Sequence, residues 1–158
     1  MTKGADLPYR PCAGVMLLNA QRRVFVGQRM DSSSEAWQMP QGGIDKGEDA
    51  QTAAFRELQE ETGIAPAKTS LIARASRELQ YDLPDELIGT IWKGKYRGQR
   101  QSWFLMGFEG DDSDVNIATD HQEFRAWKWA DPLELPALIV PFKRQLYKEL
   151  LTEFSEYL

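Results

Sequence analysis

The chain carries one cysteine and one histidine in 158 residues. Cys12 has no partner for an internal disulfide, and with His121 alone it cannot complete a zinc cage. Both are expected to be non-functional, and soft-metal chemistry is excluded. So little cysteine suits a reducing compartment, so the expected location is the cytoplasm. No apolar stretch reaches 18 residues, so no transmembrane helix and no membrane partner are expected. Ala13 to Leu18 is apolar but short, and no small-residue cleavage pattern follows it; it reads as a strand and not a signal peptide. Positive charge is not in excess. Lysine and arginine number 19 against 24 acidic residues, a net charge of −5. That argues against general coating of nucleic acid while leaving room for a local phosphate site. Repeats, low-complexity tracts and a Gly/Ser-rich linker are missing as well, so residues 1–158 are expected to form one domain.

What is present is enough to build a core: 42% of residues are hydrophobic and 11% aromatic. Cys12–Asn19 and Val24–Gln28 read as a β-hairpin, and Ser32–Ser34 as a loop. In the run from Trp37 to Gly43, one proline and two glycines forbid a regular helix. Glu48–Thr62 reads as a helix that packs through Ala50, Ala53, Ala54 and Leu58 and ends at Gly63. Leu71–Arg77, Ile88–Trp92, Gln101–Phe108 and Glu123–Trp129 read as strands, with 101–108 apolar enough to be central. Pro141 can open a closing helix on which Phe142, Leu146, Leu150 and Phe154 recur every four residues, which makes core packing the default for Phe142. Strands interrupted by one helix and closed by another suggest a layered α/β or α+β sandwich.

The chemistry concentrates between Gly42 and Ile64. Glu57, Glu60 and Glu61 are three and four residues apart, so their carboxylates share one helix face. Like charges so placed cost roughly 0.2–0.5 kcal/mol per pair. Arg56 is adjacent but expected on a neighbouring face, so something else must neutralise the cluster. Oxygen ligands without His or Cys favour Mg²⁺ or Mn²⁺, which usually bind a few carboxylates plus substrate phosphates. Three glutamates by themselves read as a solvated acidic face. The full spacing does not. Gly42, Glu48, Arg56, Glu57, Leu58, Glu60, Glu61, Gly63 and Ile64 fit G-x5-E-x7-R-E-U-x-E-E-x-G-U, where U is a bulky aliphatic. A chance match in this length is on the order of one in a million.

That pattern resembles the box of the Nudix hydrolases. The resemblance implies an α/β fold: an α/β/α sandwich with a mixed central sheet and a loop–helix–loop catalytic motif. It implies hydrolysis of phosphoanhydride bonds with two or more Mg²⁺ (or Mn²⁺) ions. Glu57, Glu60 and Glu61 would be ligands, joined by Gly42, while Glu48 and Arg56 would brace the loop against the helix.

Outside the box the chain is similar to the bacterial RNA pyrophosphohydrolase group, which also contains dinucleoside polyphosphate hydrolases. The matching pieces are Pro8–Pro11, Trp37–Ile44, Gly98–Phe104, Glu123–Trp129 and Phe142–Arg144 with Tyr147. The resemblance makes Glu57 the general base and Glu123 a further metal ligand. Arg10 and Arg29 would contact phosphate or RNA, and Val140, Phe142 and Lys143 would hold a nucleobase, with Phe142 stacking on it. Gln28 departs from the group, which often has arginine there, and the loop at 32–36 is slightly longer. Trp37, Trp103, Trp127 and Trp129 are expected in the core. The stretch from Lys93 to Arg100 carries four positive charges in eight residues, and Arg100 is a candidate for phosphate steering. The expected substrate is triphosphorylated RNA, whose loss of pyrophosphate would start transcript decay. Diadenosine tetraphosphate and its relatives are the alternative, and a non-catalytic nucleotide sensor is the alternative of another class. No obligate protein partner is expected.

Overall fold

A computed structural model describes residues 4–158; residues 1–3 of the expected domain lie outside the described residues. The amphipathic patterns resolve into strands β1 (Tyr9–Leu18), β2 (Val24–Arg29), β3 (Gln41–Gly43), β4 (Thr69–Arg74), β5 (Leu79–Asp82), β6 (Gly98–Phe108) and β7 (Phe124–Ala130), with helices α1 (Ala50–Thr62), α2 (Leu135–Leu138) and α3 (Arg144–Glu153). The seven strands form one sheet in the order β4-β6-β1-β2-β7, with β3 pairing on β1 and β5 on β6. β1 and β6 run parallel, in register from Tyr9 with Gly98 to Leu18 with Gly107, and every other pairing is antiparallel. The sheet is mixed, as expected.

Alternation along β1 and β6 divides the core in two. Ala13, Val15, Leu17, Phe104, Met106 and Phe108 face α1, where Ala53, Ala54 and Leu58 are buried. Met16, Leu18, Trp103 and Leu105 face the other way, against Leu135, Leu146, Tyr147, Leu150 and Phe154 of the C-terminal segment. Both faces of β1 are therefore buried, which is why it reads as a continuous apolar run. Helices cover both faces, so the three-layer sandwich is present. Removing a side chain as enclosed as Leu58 would cost about 2–5 kcal/mol.

The helix boundaries have clear physical causes. Asp49 caps α1, accepting from the Thr52 backbone N–H at 2.7 Å, so the helix starts at Ala50 and not at Glu48. Gly63 closes it in the left-handed conformation at φ 74°, donating to the Gln59 carbonyl.

Several expectations need correction. Ile88–Trp92 is not a strand: the chain turns repeatedly there, and Trp92 and Lys93 have φ of 52° and 58°. The strand lies earlier, at Leu79–Asp82. β3 forms inside the Gly-rich segment. The Lys93–Arg100 segment is only partly loop, because β6 begins at Gly98. Phe142 does not continue the buried stripe of the last helix; it is 37% exposed and sits in a short 3₁₀ turn before α3. Trp103 is fully in the core, whereas Trp37, Trp127 and Trp129 are only partly buried against it.

Candidate active site

β3 and α1 bring the box together. Arg56 is the hub. Its Nε and Nη2 donate to the two oxygens of Glu48 at 2.8 Å each, and Nη2 also reaches the Gly43 carbonyl at 2.8 Å. Its Nη1 donates to Glu57 at 2.8 Å and to Glu60 at 3.2 Å. The expectation that Arg56 would turn away from the acidic cluster is therefore wrong. A guanidinium offers five donors in a planar fork, so one long side chain can serve Glu48, Glu57 and Glu60 together. Glu48 also accepts from the Asp45 backbone N–H, which ties the loop to the helix. Arg56 and that N–H hold the Glu48 carboxyl down at about 2.

A polar cleft of about 190 Å³ opens beside this hub, lined by Arg10, Arg29, Gln41, Gly42, Gly43, Glu57, Glu61, Trp92, Gln99, Glu123 and Lys143. Gly42 is there because nothing larger fits: a Cβ would overlap the Glu57 carboxylate. Glu61 is buried, and its Oε2 has no hydrogen-bond partner. Burial, then the charges of Glu123 and Glu57, push its carboxyl well above the usual range. Burial likewise raises Glu57, against the pull of Arg56. Glu123 arrives from outside the box, immediately before β7, with its carboxylate 3.9 Å from Arg29 Nε.

A buried carboxylate with an orphaned oxygen, flanked by two more carboxylates, fits a divalent cation. Such a cation would relieve the repulsion that burial intensifies. Glu57, Glu61 and Glu123 line the cleft, while Glu60 is half-exposed and turned onto Arg56. As they stand, no three carboxylate, His or Cys side chains among the described residues converge on one point. Glu57 and Glu60 would have to share themselves between Arg56 and an ion.

A second, more apolar pocket of about 500 Å³ adjoins the cleft, and Arg29, Trp92 and Lys143 line both. Tyr81, Leu83, Leu87, Ile91, Val140 and Phe142 supply its walls. The Phe142 ring lies 5.8 Å from Tyr81, tilted by 49°, and the residue is partly exposed. The Lys143 ammonium sits 5.1 Å from the Tyr81 ring and 5.9 Å from that of Phe142. Burial, and next the Arg29 charge, lower its pKa to about 8. Arg29 has two of its nitrogens on Asp31, at 2.9 and 2.7 Å, leaving Nη1 for a ligand. Arg125 fastens the loop that carries Asp31, donating to the carbonyls of Arg29, Ser32 and Ser34. The Arg10 guanidinium stands 5.8 Å over the Trp92 ring.

Arg100 is not part of this assembly. Gln99 and Gln101 are buried on one side of β6, and alternation puts Arg100 on the other, exposed and 5.5 Å over Tyr9. Cys12 is buried within β1, where desolvation raises its thiol to about 11. The lining residues not singled out in the sequence include Gln38, Tyr81, Trp92 and Gln99. Trp92 had a signal, an aromatic inside a Gly- and Lys-rich stretch. The glutamines had only their place within the matching pieces Trp37–Ile44 and Gly98–Phe104. Gln99 belongs to a buried chain of amides: Trp103 Nε1 donates to Gln101 Oε1 at 2.7 Å, and Gln101 Nε2 donates to Gln99 Oε1 at 2.6 Å.

Comparison with known proteins agrees with this geometry. The model of the NUDIX domain matches residues 8–150. The chain belongs to the Nudix family. It is 68% identical over 149 residues to the RNA pyrophosphohydrolase of Sphingopyxis alaskensis, covering 94% of each chain. It is 56% identical over 154 residues to the RNA pyrophosphohydrolase of Roseobacter denitrificans, covering 98% of this chain and 96% of that one. Among solved structures it resembles the E. coli dihydroneopterin triphosphate pyrophosphohydrolase, with a TM-score of 0.71 at 24% identity over 92% of this chain and 98% of that one. A C. elegans Ap4A hydrolase follows at 0.68 and 20% identity, covering 93% and 98%. At those identities the structural likeness is one of Nudix fold. As a Nudix hydrolase the protein acts on phosphoanhydride bonds and uses divalent metal ions. No helix among the described residues is long and apolar enough to cross a membrane.

Proposed function

We propose that this Nudix hydrolase removes pyrophosphate from the 5′-triphosphate end of RNA, leaving a monophosphate that exposes the transcript to decay. One observation carries the reading. The acidic cleft and the apolar pocket adjoin, sharing Arg29, Trp92 and Lys143 as lining, so a polyphosphate and a nucleobase of one ligand can be held side by side. The two RNA pyrophosphohydrolases to which the chain is 68% and 56% identical support the choice of RNA. On this reading the enzyme works in the cytoplasm, where transcripts are.

The carboxylates of Glu57, Glu60, Glu61 and Glu123 are the proposed holders of two or more Mg²⁺ or Mn²⁺ ions, with the Gly42 backbone beside them. Ions bound there would supply an acidified water and charge screening at phosphorus. Glu57 is the proposed general base, taking the water proton at a carboxylate oxygen. The water oxygen then bonds to phosphorus as the phosphoanhydride P–O bond breaks and pyrophosphate leaves. Arg10, Arg29 Nη1 and Lys143 orient the phosphate chain and oppose its charge. Val140 and Phe142 seat the base, and Phe142 stacks on it. Glu48 and Arg56 act through Glu57, holding the helix and loop in register.

The test is a matched competition in Mg²⁺ between 5′-triphosphate RNA and diadenosine tetraphosphate, following pyrophosphate, orthophosphate and mononucleotides. Faster conversion of RNA, with pyrophosphate as product, is expected. Preference for the dinucleotide would replace the proposal with turnover of dinucleoside polyphosphates. Glu57→Gln should lower turnover by orders of magnitude with an unchanged Tm; near-normal turnover would remove Glu57 as base.

A further inference from the structure

Among the described residues, two buried side-chain atoms have no hydrogen-bond partner: Glu61 Oε2 and Gln38 Nε2. The first lies in the acidic cleft and suits a cation. The second belongs to a residue that lines the apolar pocket. Gln38 is 6% exposed, and its own backbone is fully engaged, exchanging both hydrogen bonds with Gly27 at 2.8 and 2.9 Å. Its neighbours are pinned too. Trp37 donates its backbone N–H to the Leu138 carbonyl at 2.8 Å, and Met39 donates its backbone N–H to the Tyr147 hydroxyl oxygen at 2.8 Å. The backbone that carries the side chain is therefore held by three separate anchors, on β2, α2 and α3.

An unpaired buried amide is costly, roughly 1–3 kcal/mol when nothing replaces its water. A methionine or leucine would fill the same space without that cost. Asp31 and Ser32 also line the pocket beside Arg29, and both Asp31 oxygens are taken by Arg29; the remaining walls around Gln38, apart from Lys143, are aromatic and aliphatic. An amide in such surroundings supplies direction, and the partner that its unpaired NH₂ lacks is a hydrogen-bond acceptor.

We propose that Gln38 is a base-reading residue, donating through Nε2 to an acceptor on the edge of the nucleobase held in the apolar pocket. The inference rests on the reading of that pocket as the base site, and it adds which group inspects the base edge while Phe142 covers the face. Purine N7 and the exocyclic carbonyls of guanine and uracil are acceptors of the right kind, whereas an edge presenting only an amino group is not.

The experiment uses the full chain with Mg²⁺ and 5′-triphosphate RNAs that differ in one base at a time over the first two nucleotides. Gln38→Met is compared with wild type, and Phe142→Ala is the control for the pocket. Wild type is expected to spread its kcat/KM over about tenfold between best and worst base. In Gln38→Met the best substrate should lose about tenfold, mostly through KM, and the spread should contract to within about threefold. Its Tm should be equal or higher, because an unpaired amide has gone. Gln38→Glu, of the same shape but lacking the NH₂ donor, should lose the same preference and serves if the methionine variant does not fold. Unchanged kcat/KM would overturn the proposal, as would a raised KM with the base ranking intact. If Phe142→Ala also leaves KM unchanged for every RNA, the base-pocket reading itself has failed. If Phe142→Ala raises KM while Gln38→Met does not, only the role of Gln38 has failed.

Discussion

Arg56 grips Glu48 through two parallel hydrogen bonds, Nε to Oε2 and Nη2 to Oε1, both 2.8 Å long and partly shielded from solvent. The pair spans eight residues and fixes the loop before α1 to the helix that bears Glu57, Glu60 and Glu61. Glu48→Gln should cost about 1–3 kcal/mol, roughly 2–10 °C in Tm, because one acceptor of a bidentate charged pair becomes an amide donor. The same pair gives an acid limb to stability. Glu48 titrates near 2 in the fold against an ordinary 4.5, so its contribution is complete above 4.5 and is lost as pH falls toward 2. Denaturant titrations of wild type and Glu48→Gln should converge over that window; parallel curves would remove Glu48 as the cause.

Gly42→Ala is the sharpest steric test of the cleft. The new Cβ would occupy the volume of the Glu57 carboxylate, so Glu57 must swing aside while the half-buried strand β3 keeps its pairing with β1. Turnover should fall at least a hundredfold with circular dichroism unchanged. Full activity would mean that Glu57 does its work from another position.

Glu61→Gln should separate the acid's electrostatics from its packing. Glu61 is buried with an unpaired oxygen and two carboxylates for company, so the isosteric amide relieves repulsion and should raise Tm in chelator. The stabilisation that wild type gains on adding Mg²⁺ should shrink in the variant. An undiminished Mg²⁺-induced rise in Tm would exclude Glu61 as a ligand.

Lys143 predicts a basic limb for substrate binding. The groups facing it are Arg29, Cys12, Glu123 and Glu61, with the rings of Tyr81 and Phe142, and burial is the largest influence on its pKa of about 8. Above pH 8 it loses the charge that opposes a polyphosphate, so KM should rise between pH 8 and 9.5. In Lys143→Arg the charge persists and the rise should vanish. Stability runs the opposite way: the unfolded lysine keeps its proton up to about 10.5, so the fold gains stability as pH rises from 8 to 10.5. A flat KM profile in wild type would dismiss Lys143 as a phosphate contact.

The box was legible because seven fixed residues at set spacing serve one local structure, and local structure is what a sequence writes most directly. β1 and β6 followed from apolar runs, and β2 and β7 from short β-prone stretches. Leu79–Asp82 went unread although Leu79 and Tyr81 are buried and Gln80 and Asp82 exposed, since four residues of alternation are too few to stand out. Ile88–Trp92 misled for the converse reason: β-prone side chains sit on a backbone that the left-handed residues Trp92 and Lys93 make into turns. Arg56 was misplaced because helical phase describes where a Cβ points, and a guanidinium three methylenes further on reaches well beyond it. Tyr81, Trp92, Gln38 and Gln99 come from four separate segments of chain. Only the pairing of β5 with β6 and the fold of the connecting loops brings them to one place.

The amide chain behind the cleft gives that wall a fixed polarity. An indole N–H can only donate, so Trp103 forces the Gln101 carbonyl toward itself and its NH₂ toward Gln99. The Gln99 carbonyl is thereby consumed, and what remains for the cleft is its NH₂. A rotation of either amide would set two donors or two acceptors face to face, so neither can turn alone. In a cleft lined also by Glu57, Glu61 and Glu123, Gln99 is therefore a neutral donor whose orientation does not depend on any protonation. Which group of Gln99 is left for the cleft is thus decided by Trp103, a tryptophan buried in the core behind it.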